Sequence, residues 1–329
     1  GQVLNPLSSK ARLDRELEVQ VGIHDLALTR REVRDGTIDF FGVEHGVIPL
    51  NRLTYHPRPM SGGSFNAYNP RLQERNRAFV ADPVRRPDYF LVKMATIDQR
   101  VMTQDDSQAL LELLHGYRPI MAEQGYFLFK AAPDPVHPEA RFLERRALAF
   151  DQAVEVPAVG PDEMLLARFE FPPTLGGRLR SLLYKPPLIF MDLEGTGIDE
   201  PADRRIVPDM TAVPFLLGPV IEDNADLAYL YTDLPGKQLE RFTLATSHPG
   251  AFGRNLAVEF FSMPRPARIE NLDVGELAAF ATFRVANVLP ESITPPDARR
   301  ISIDGLEVQS LHAPGEIVWR LQGDEREFI

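Results

Sequence analysis

Asp88-Tyr89-Phe90-Leu91-Val92-Lys93-Met94-Ala95 is a short apolar run entered through Pro87, the pattern of a buried strand. Downstream, Asp105-Asp106-Ser107 precedes Leu110, Leu111, Leu113 and Leu114, with Gly116 behind them. Acidic and hydroxyl cap residues, an apolar stripe and a glycine stop together predict a helix. Tyr117–Ala122 and Tyr126–Ala131 then flank Glu123-Gln124-Gly125, a hairpin signal. Upstream, Asn69-Pro70 opens another helix, the amide as cap and the proline at its first position, with Leu72, Phe79 and Val80 on one face. Strand, helix, strand, helix and hairpin over residues 37–131 predict an α/β layer domain.

Residues 132–163 have a different texture. Pro133, Pro135, Pro138, Pro157 and Pro161 punctuate them, around one predicted helix at Glu139–Phe150. A domain boundary is placed there. Beyond it, Met164–Phe171, Leu179–Tyr184, Pro187–Glu194, Phe215–Ile221, Ala228–Tyr231, Phe242–Thr246 and Leu256–Met263 are short β-rich runs separated by Gly, Pro, Asn and Asp, a spacing that predicts a sandwich. A helix at Val274–Phe280 and a final strand pair, Arg300–Leu311 with Glu316–Gln322, complete the expectation. The predicted fold is α+β in two domains. Residues 1–131 form the α/β domain and 132–163 a Pro-rich linker. Residues 164–329 form a mostly antiparallel, jelly-roll-like β-sandwich.

Composition narrows the function classes. The 329 residues carry a formal charge of −11, 29 prolines and no cysteine, so disulfides, thiolate nucleophiles and thiolate metal sites are all excluded. The charge is uneven. Residues 1–130 hold 17 basic and 16 acidic side chains, whereas 131–329 hold 19 and 31. An acidic second half repels phosphate backbones and anionic lipid, so nucleic acid is not an expected partner. The longest apolar run, Met210–Ile221, is interrupted by Pro214 and Gly218 and falls short of the ~20 residues that span a bilayer. No membrane insertion by the chain itself is expected. It begins Gly1-Gln2 without a methionine, which reads as a processing scar with a segment missing upstream.

Two stretches carry candidate chemistry. Phe190-Met191-Asp192-Leu193-Glu194-Gly195-Thr196-Gly197 resembles the first motif of the DEDD-type 3′–5′ exonucleases. In that family two carboxylates, two apart on a strand, hold Mg²⁺ for phosphodiester attack. By strand alternation Asp192 and Glu194 share a face opposite Ile189, Met191 and Leu193. None of the seven histidines precedes an aspartate at the family's spacing. Tyr229 with Asp233 has the alternative spacing but lies only 35 residues beyond Glu194. The competing reading is a solvent-facing edge strand running into a glycine-rich turn. Zinc, Walker, dinucleotide and serine-elbow motifs are missing from the sequence, and no cofactor or metal is expected.

The second stretch, Tyr55 to Pro70, joins a strand to the Asn-capped helix through a loop rich in aromatic, amide and hydroxyl groups. Tyr55, His56, Arg58, Asn66 and Tyr68 are its candidate ligand-binding residues, because rings stack on sugar faces while amides and guanidinium meet hydroxyls. Loops after strand ends in α/β domains are also a usual ligand position. The competing reading is a structural loop in which Phe65 and Tyr68 plug the core.

Residues 37–131 contain, in order, Asp39-Phe40-Phe41-Gly42, Pro57-Arg58-Pro59, Asn66-Ala67-Tyr68-Asn69-Pro70, Arg86-Pro87-Asp88-Tyr89-Phe90-Leu91 and Thr96-Ile97-Asp98-Gln99-Arg100 followed by Asp105-Asp106. This series is similar to the extracytoplasmic region of uncharacterised bacterial polytopic membrane proteins, whose membrane part resembles lipid-linked-sugar glycosyltransferases. Gly177-Arg178-Leu179-Arg180, Tyr184-Lys185-Pro186-Pro187 and Phe215-Leu216-Leu217 look like the continuation of the same region. The resemblance implies a non-catalytic, extracytoplasmic domain of a cell-envelope protein on the periplasmic side, tethered to the membrane and contacting glycan or an envelope protein. A nuclease or phosphodiesterase using Asp192 and Glu194, or a purely structural scaffold, are the alternatives. Separately, Gly305-Leu306 and His312 to Leu321 are similar to the opening strands of a carbohydrate-binding sandwich, with Trp319 expected as a core anchor.

Overall fold

The computed structural model describes residues 6–62, 66–95, 98–184, 186–198, 204–232 and 236–269, together with the backbone of four short strands between residues 299 and 328. The chain divides into two compact units, Gly1–Leu272 and Asp273–Ile329.

The first unit opens with helices α1 (Pro6–Ile23) and α2 (Ala27–Val33). Then follow β1 (Thr37–Phe41), α3 (Val47–Leu50), β2 (Thr54–Tyr55), α4 (Pro70–Ala81), β3 (Tyr89–Val92), α5 (Ser107–Gly116), β4 (Tyr117–Glu123) and β5 (Tyr126–Ala131). They build a five-stranded sheet of order β2-β1-β3-β5-β4, with β1 parallel to β2 and β3 and the β4–β5 hairpin antiparallel to them. One face buries Ile38, Phe40, Leu91 and Leu128 against Leu26, Val33 and Ile48. Asn69 caps α4 as its sequence predicts, its Oδ1 accepting from Leu72 N–H at 3.1 Å.

The buried side of α4 departs from expectation. It consists of Gln73, Asn76, Phe79 and Val80, half of it amide. Every amide there is answered: Gln73 Nε2 donates to Met210 O, its Oε1 accepts from Ser107 Oγ, and Asn76 brackets the backbone of Met60 through both its N–H and its C=O. Buried polar groups persist where each lone pair and hydrogen finds a partner.

The remainder of this unit is β6 (Arg141–Leu148), β7 (Ala153–Glu155), β8 (Glu163–Glu170), α6 (Leu175–Leu183), β9 (Ile189–Thr196), β10 (Arg204–Ile206), β11 (Phe215–Gly218), α7 (Asn224–Tyr229), β12 (Gln238–Ala245) and β13 (Leu256–Pro264). Two four-stranded antiparallel sheets result, ordered β10-β9-β12-β7 and β11-β8-β13-β6. Alternate residues of both, among them Leu165, Phe169, Met191, Leu193, Phe215, Phe242, Val258 and Phe260, form one apolar core.

Several expected elements change type. Glu139–Phe150 is not a helix but carries β6, whose Arg145 reaches Glu259 on the adjacent β13 and Glu170 on β8 beyond it. Cross-strand charge pairing and the β13 register override a helix-compatible composition there. The stretch 132–163 therefore supplies β6 and β7, one strand to each sheet. Leu179–Leu183 is helical in α6, with Tyr184 as its extended C-cap, because Thr174 caps the helix by accepting from Gly177 N–H at 3.0 Å. Ala228–Tyr231 follows the same rule: Asp223 caps α7 by accepting from Asp226 N–H at 2.9 Å. Short apolar runs do not by themselves separate strand from helix, and the caps decide.

In the second unit β14 (Arg299–Ile303) pairs with β15 (Leu306–Ser310), and β16 (Trp319–Arg320) with β17 (Glu327–Phe328). The run Arg300–Leu311, expected as one strand, thus contains two strands paired with each other. The helix expected at Val274–Phe280 and the side chain of Trp319 lie outside the described residues.

Candidate binding cleft

The five residues proposed from the Tyr55–Pro70 loop do not converge. Tyr55 ends β2 and its hydroxyl meets His45 Nδ1 at 2.9 Å; burial raises the phenol pKa and lowers that of the imidazole. His56 is anchored by Nε2 donating to Arg85 O at 2.8 Å and by its ring lying against Phe79. Asn66 is exposed, its backbone N–H bonded to Gly62 O. Tyr68 is 50% exposed and plugs nothing, while neighbouring Ala67 is fully buried. Phe65 lies outside the described residues.

Arg58 is different again. It is buried, with Nε on Asp106 at 2.7 Å and Nη1 on Asp39 at 2.8 Å and on Phe40 O at 2.9 Å. Asp39 sits in the middle of β1, and Asp106 immediately precedes α5 in a left-handed conformation, φ 53° and ψ 43°. Asp106 was expected to cap α5. It makes no cap bond: its Oδ2 is taken by Arg58 and by Asn76 Nδ2 at 2.8 Å, and its buried Oδ1 has no hydrogen-bond partner. Burial alone would lower the Arg58 pKa, but the two aspartates hold it above its ordinary value. Burial raises the pKa of Asp106 despite Arg58. The cluster adjoins the carboxyl ends of β1 and β3, where open α/β sheets commonly bind ligands. The hollow it shares with Phe41, Lys93 and Met102 measures only about 20 Å³, the room of a single water.

A larger space lies on the other side of α4 and α5. It is a cleft of about 270 Å³ edged by Arg77, Gln108, Glu112, His115, His137 and Glu139, over Leu111, Leu166, Pro214 and Met263. Helical spacing builds it: Gln108, Leu111, Glu112 and His115 recur at three and four residues and so share one face of α5. Arg77 grips Glu74 through Nε and Nη2, both at 2.7 Å, and gives Nη1 to Glu112 Oε1 at 3.0 Å. The other oxygen of Glu112 meets His137 Nδ1 at 2.7 Å. A carboxylate only accepts, so that nitrogen carries the proton. The Arg77 pKa is held above its usual value, by Glu74 first and Glu112 after it.

His115, one turn beyond Glu112, is the unusual member. Burial lowers its pKa to about 4, and Glu112 opposes this only in part. At neutral pH the ring is uncharged, and its buried Nε2 has no hydrogen-bond partner. The cleft thus presents apolar walls, a carboxylate, an amide and a neutral imidazole, whose Nε2 lies buried behind the surface without a partner. That set accepts a small polar, hydroxylated molecule: C–H surfaces meet Leu, Pro and Met, while hydroxyls exchange hydrogen bonds with the rim. Sequence reading missed it because its residues come from six separate stretches. Only the i, i+3 pair Glu112 and His115 was visible as a signal.

Asp192 and Glu194 share a face of β9 as strand alternation requires, with Ile189, Met191 and Leu193 buried on the other. The strand is interior, not an edge: β10 flanks Ile189–Met191, and β12 runs alongside from Phe190 to Thr196. Glu194 is paired with Arg241 across the sheet, at 2.9 Å from Nε. Gly195 belongs to the strand too. A Cβ there would stand 1.9 Å from Gln238 O, beside the β12 bulge between Leu239 and Arg241, so close strand packing demands the glycine. Among the described residues, no three His, Asp or Glu side chains stand together as metal ligands. Asp233, partner of Tyr229 in the exonuclease-like spacing, lies outside the described residues.

No family model, no curated protein and no solved structure matches the chain. Among the described residues, no helix is long and apolar enough to cross a membrane.

Proposed function

We propose that this chain is a non-catalytic, extracytoplasmic binding domain of a bacterial cell-envelope protein, and that its cleft between α4, α5 and the start of β6 holds a neutral hydroxylated ligand of the glycan class. The observation that carries this reading is His115: an imidazole beside 270 Å³ of open space, uncharged at neutral pH and with Nε2 unsatisfied. A neutral ring gives or takes one hydrogen bond without demanding charge from the ligand. It is also poorly matched to proton transfer at pH 7, since an efficient general base has its pKa near the working pH. The periplasmic placement rests on the sequence resemblance. The two antiparallel sheets with their common core support a sandwich of jelly-roll type.

Calorimetric titration with neutral hexose and N-acetylhexosamine oligosaccharides tests the ligand class. The expected result is binding at millimolar or better affinity, weakened at least about tenfold by Glu112→Gln and by His115→Ala, and unchanged by Tyr68→Ala. No heat with any member of the panel contradicts the glycan reading. Loss of binding with Tyr55→Ala and Tyr68→Ala but not with Glu112→Gln moves the site to the Tyr55–Pro70 loop. Resistance of the chain to added protease in intact cells, with cleavage after outer-membrane permeabilisation, is expected for the periplasmic location; protection until the inner membrane is lysed contradicts it.

A further inference from the structure

Most large apolar side chains of the first unit are buried, but α6 turns its leucines outward. Gly177 is the buried residue of this helix. A Cβ at that position would lie 2.0 Å from Ala251 O, so the helix rests directly on the backbone of the 3₁₀ turn Pro249–Ala251. Thr174 fixes the same end, its hydroxyl donating to Gly250 O at 3.0 Å. At 100° per residue Leu175, Leu179, Leu182 and Leu183 form a stripe about 100° wide on the side away from Gly177. They are 85%, 58%, 81% and 65% exposed, and Tyr184 follows at 70%. Arg178 and Arg180 fall one on each flank of the stripe. From Thr174 to Leu188 the sequence holds Arg178, Arg180 and Lys185 and no acidic residue, within a chain of net charge −11.

We propose that this leucine stripe with its flanking arginines is an interfacial docking surface for an anionic lipid bilayer. Apolar side chains on one helix face, bordered by cations, are the arrangement that sinks into the boundary between headgroups and acyl chains while the cations stay with the phosphates. The binding strength of such a surface grows with buried apolar area and with attraction to anionic lipid. The local excess of positive charge stands against the acidity of the whole chain, so a negatively charged partner is selected at this helix and repelled elsewhere. A second copy meeting the stripe symmetrically would set Arg178 and Arg180 against their own equivalents, a like-charge contact that disfavours self-association. The helix lies on the bilayer rather than crossing it, since its nine residues span only about 14 Å.

Flotation of the whole chain with phosphatidylcholine vesicles, with and without ~30% phosphatidylglycerol, tests the assignment. Binding to the anionic vesicles is expected, at least about tenfold stronger than to phosphatidylcholine alone. The double substitution Leu179→Glu with Leu182→Glu is expected to abolish it, and Arg178→Ala with Arg180→Ala to weaken it about tenfold or more. Leu179, Leu182 and Arg178 are exposed and Arg180 is part-buried, and unchanged far-ultraviolet circular dichroism confirms that the variants fold. Failure to float with either vesicle overturns the proposal, as does equal flotation of the wild type and the leucine double variant. A dimer in sedimentation analysis, without vesicle binding and dissociated by the leucine substitutions, assigns the stripe to a second copy instead.

Discussion

Two charged clusters in this molecule are drawn from the same neighbouring elements and end in opposite states. α4 supplies Asn76 to one and Arg77 to the other; α5 and the residue before it supply Asp106 to one and Glu112 with His115 to the other. Around Arg58 the chain leaves almost no room, although Asp106 Oδ1 is buried without a hydrogen-bond partner. Arginine, both aspartates and the amide interlock at 2.7–2.8 Å, and about 20 Å³ remains beside them. Around Glu112 the same ingredients stop short of closure. The carboxylate is held by Arg77 and His137, but His115 has a nitrogen without a partner and 270 Å³ beside it. Each cluster keeps one buried polar atom without a partner, so the space beside it separates them: about 20 Å³ marks a cluster that maintains the fold, and about 270 Å³ marks one with room to receive a ligand.

Substitutions test this contrast in descending order of effect. Arg58→Met should be the most destabilising, by about 3–5 kcal/mol, because it leaves Asp39 and Asp106 buried without their cation; urea denaturation at pH 7 measures it, and a loss below about 1 kcal/mol would erase the distinction. The next effect is linked to pH. An unfolded imidazole takes up a proton near pH 6.5, whereas folded His115 refuses it until about 4. Its contribution is therefore complete above pH ~6.5 and falls by about 1.4 kcal/mol per unit as pH drops through that window, roughly 3 kcal/mol in all. His115→Gln should flatten that part of the stability-versus-pH curve, and an unchanged slope would show that His115 is solvated. Asn69→Ala removes the cap of the helix serving both clusters and should cost about 1 kcal/mol, while leaving ligand affinity unchanged in the same titration. Arg77→Gln should cost less than about 1 kcal/mol, since Arg77 is part-exposed, yet it should change the affinity of the cleft. An effect on stability as large as that of Arg58→Met would mean that both clusters are structural.

The layer of strands and helices over residues 37–131 was legible because each element carries its own local signal: the Asn69-Pro70 cap, the leucine stripe of α5 and the turn at Glu123-Gln124-Gly125. What escaped depended on partners distant in sequence. β6 is a strand because Glu170 and Glu259 receive Arg145, and composition alone reads it as a helix. α6 and α7 had visible caps in Thr174 and Asp223, outweighed by short apolar runs. For the site, residue type was a poor guide to accessibility. Arg58 looked available and is sealed by two aspartates 19 residues before it and 48 after it. Arg77, Glu112, His115 and His137 form a cleft that no contiguous motif announces.

Histidine-ring NMR of the full chain, followed from pH 7.5 to 4 with and without the oligosaccharide that binds best, tests the central claim most directly. The prediction is that the His115 resonances remain those of a neutral ring down to about pH 4 and shift on addition of the glycan at pH 7. His115 titrating near 6.5, with its resonances indifferent to glycan, would contradict the assignment of this cleft as the binding site.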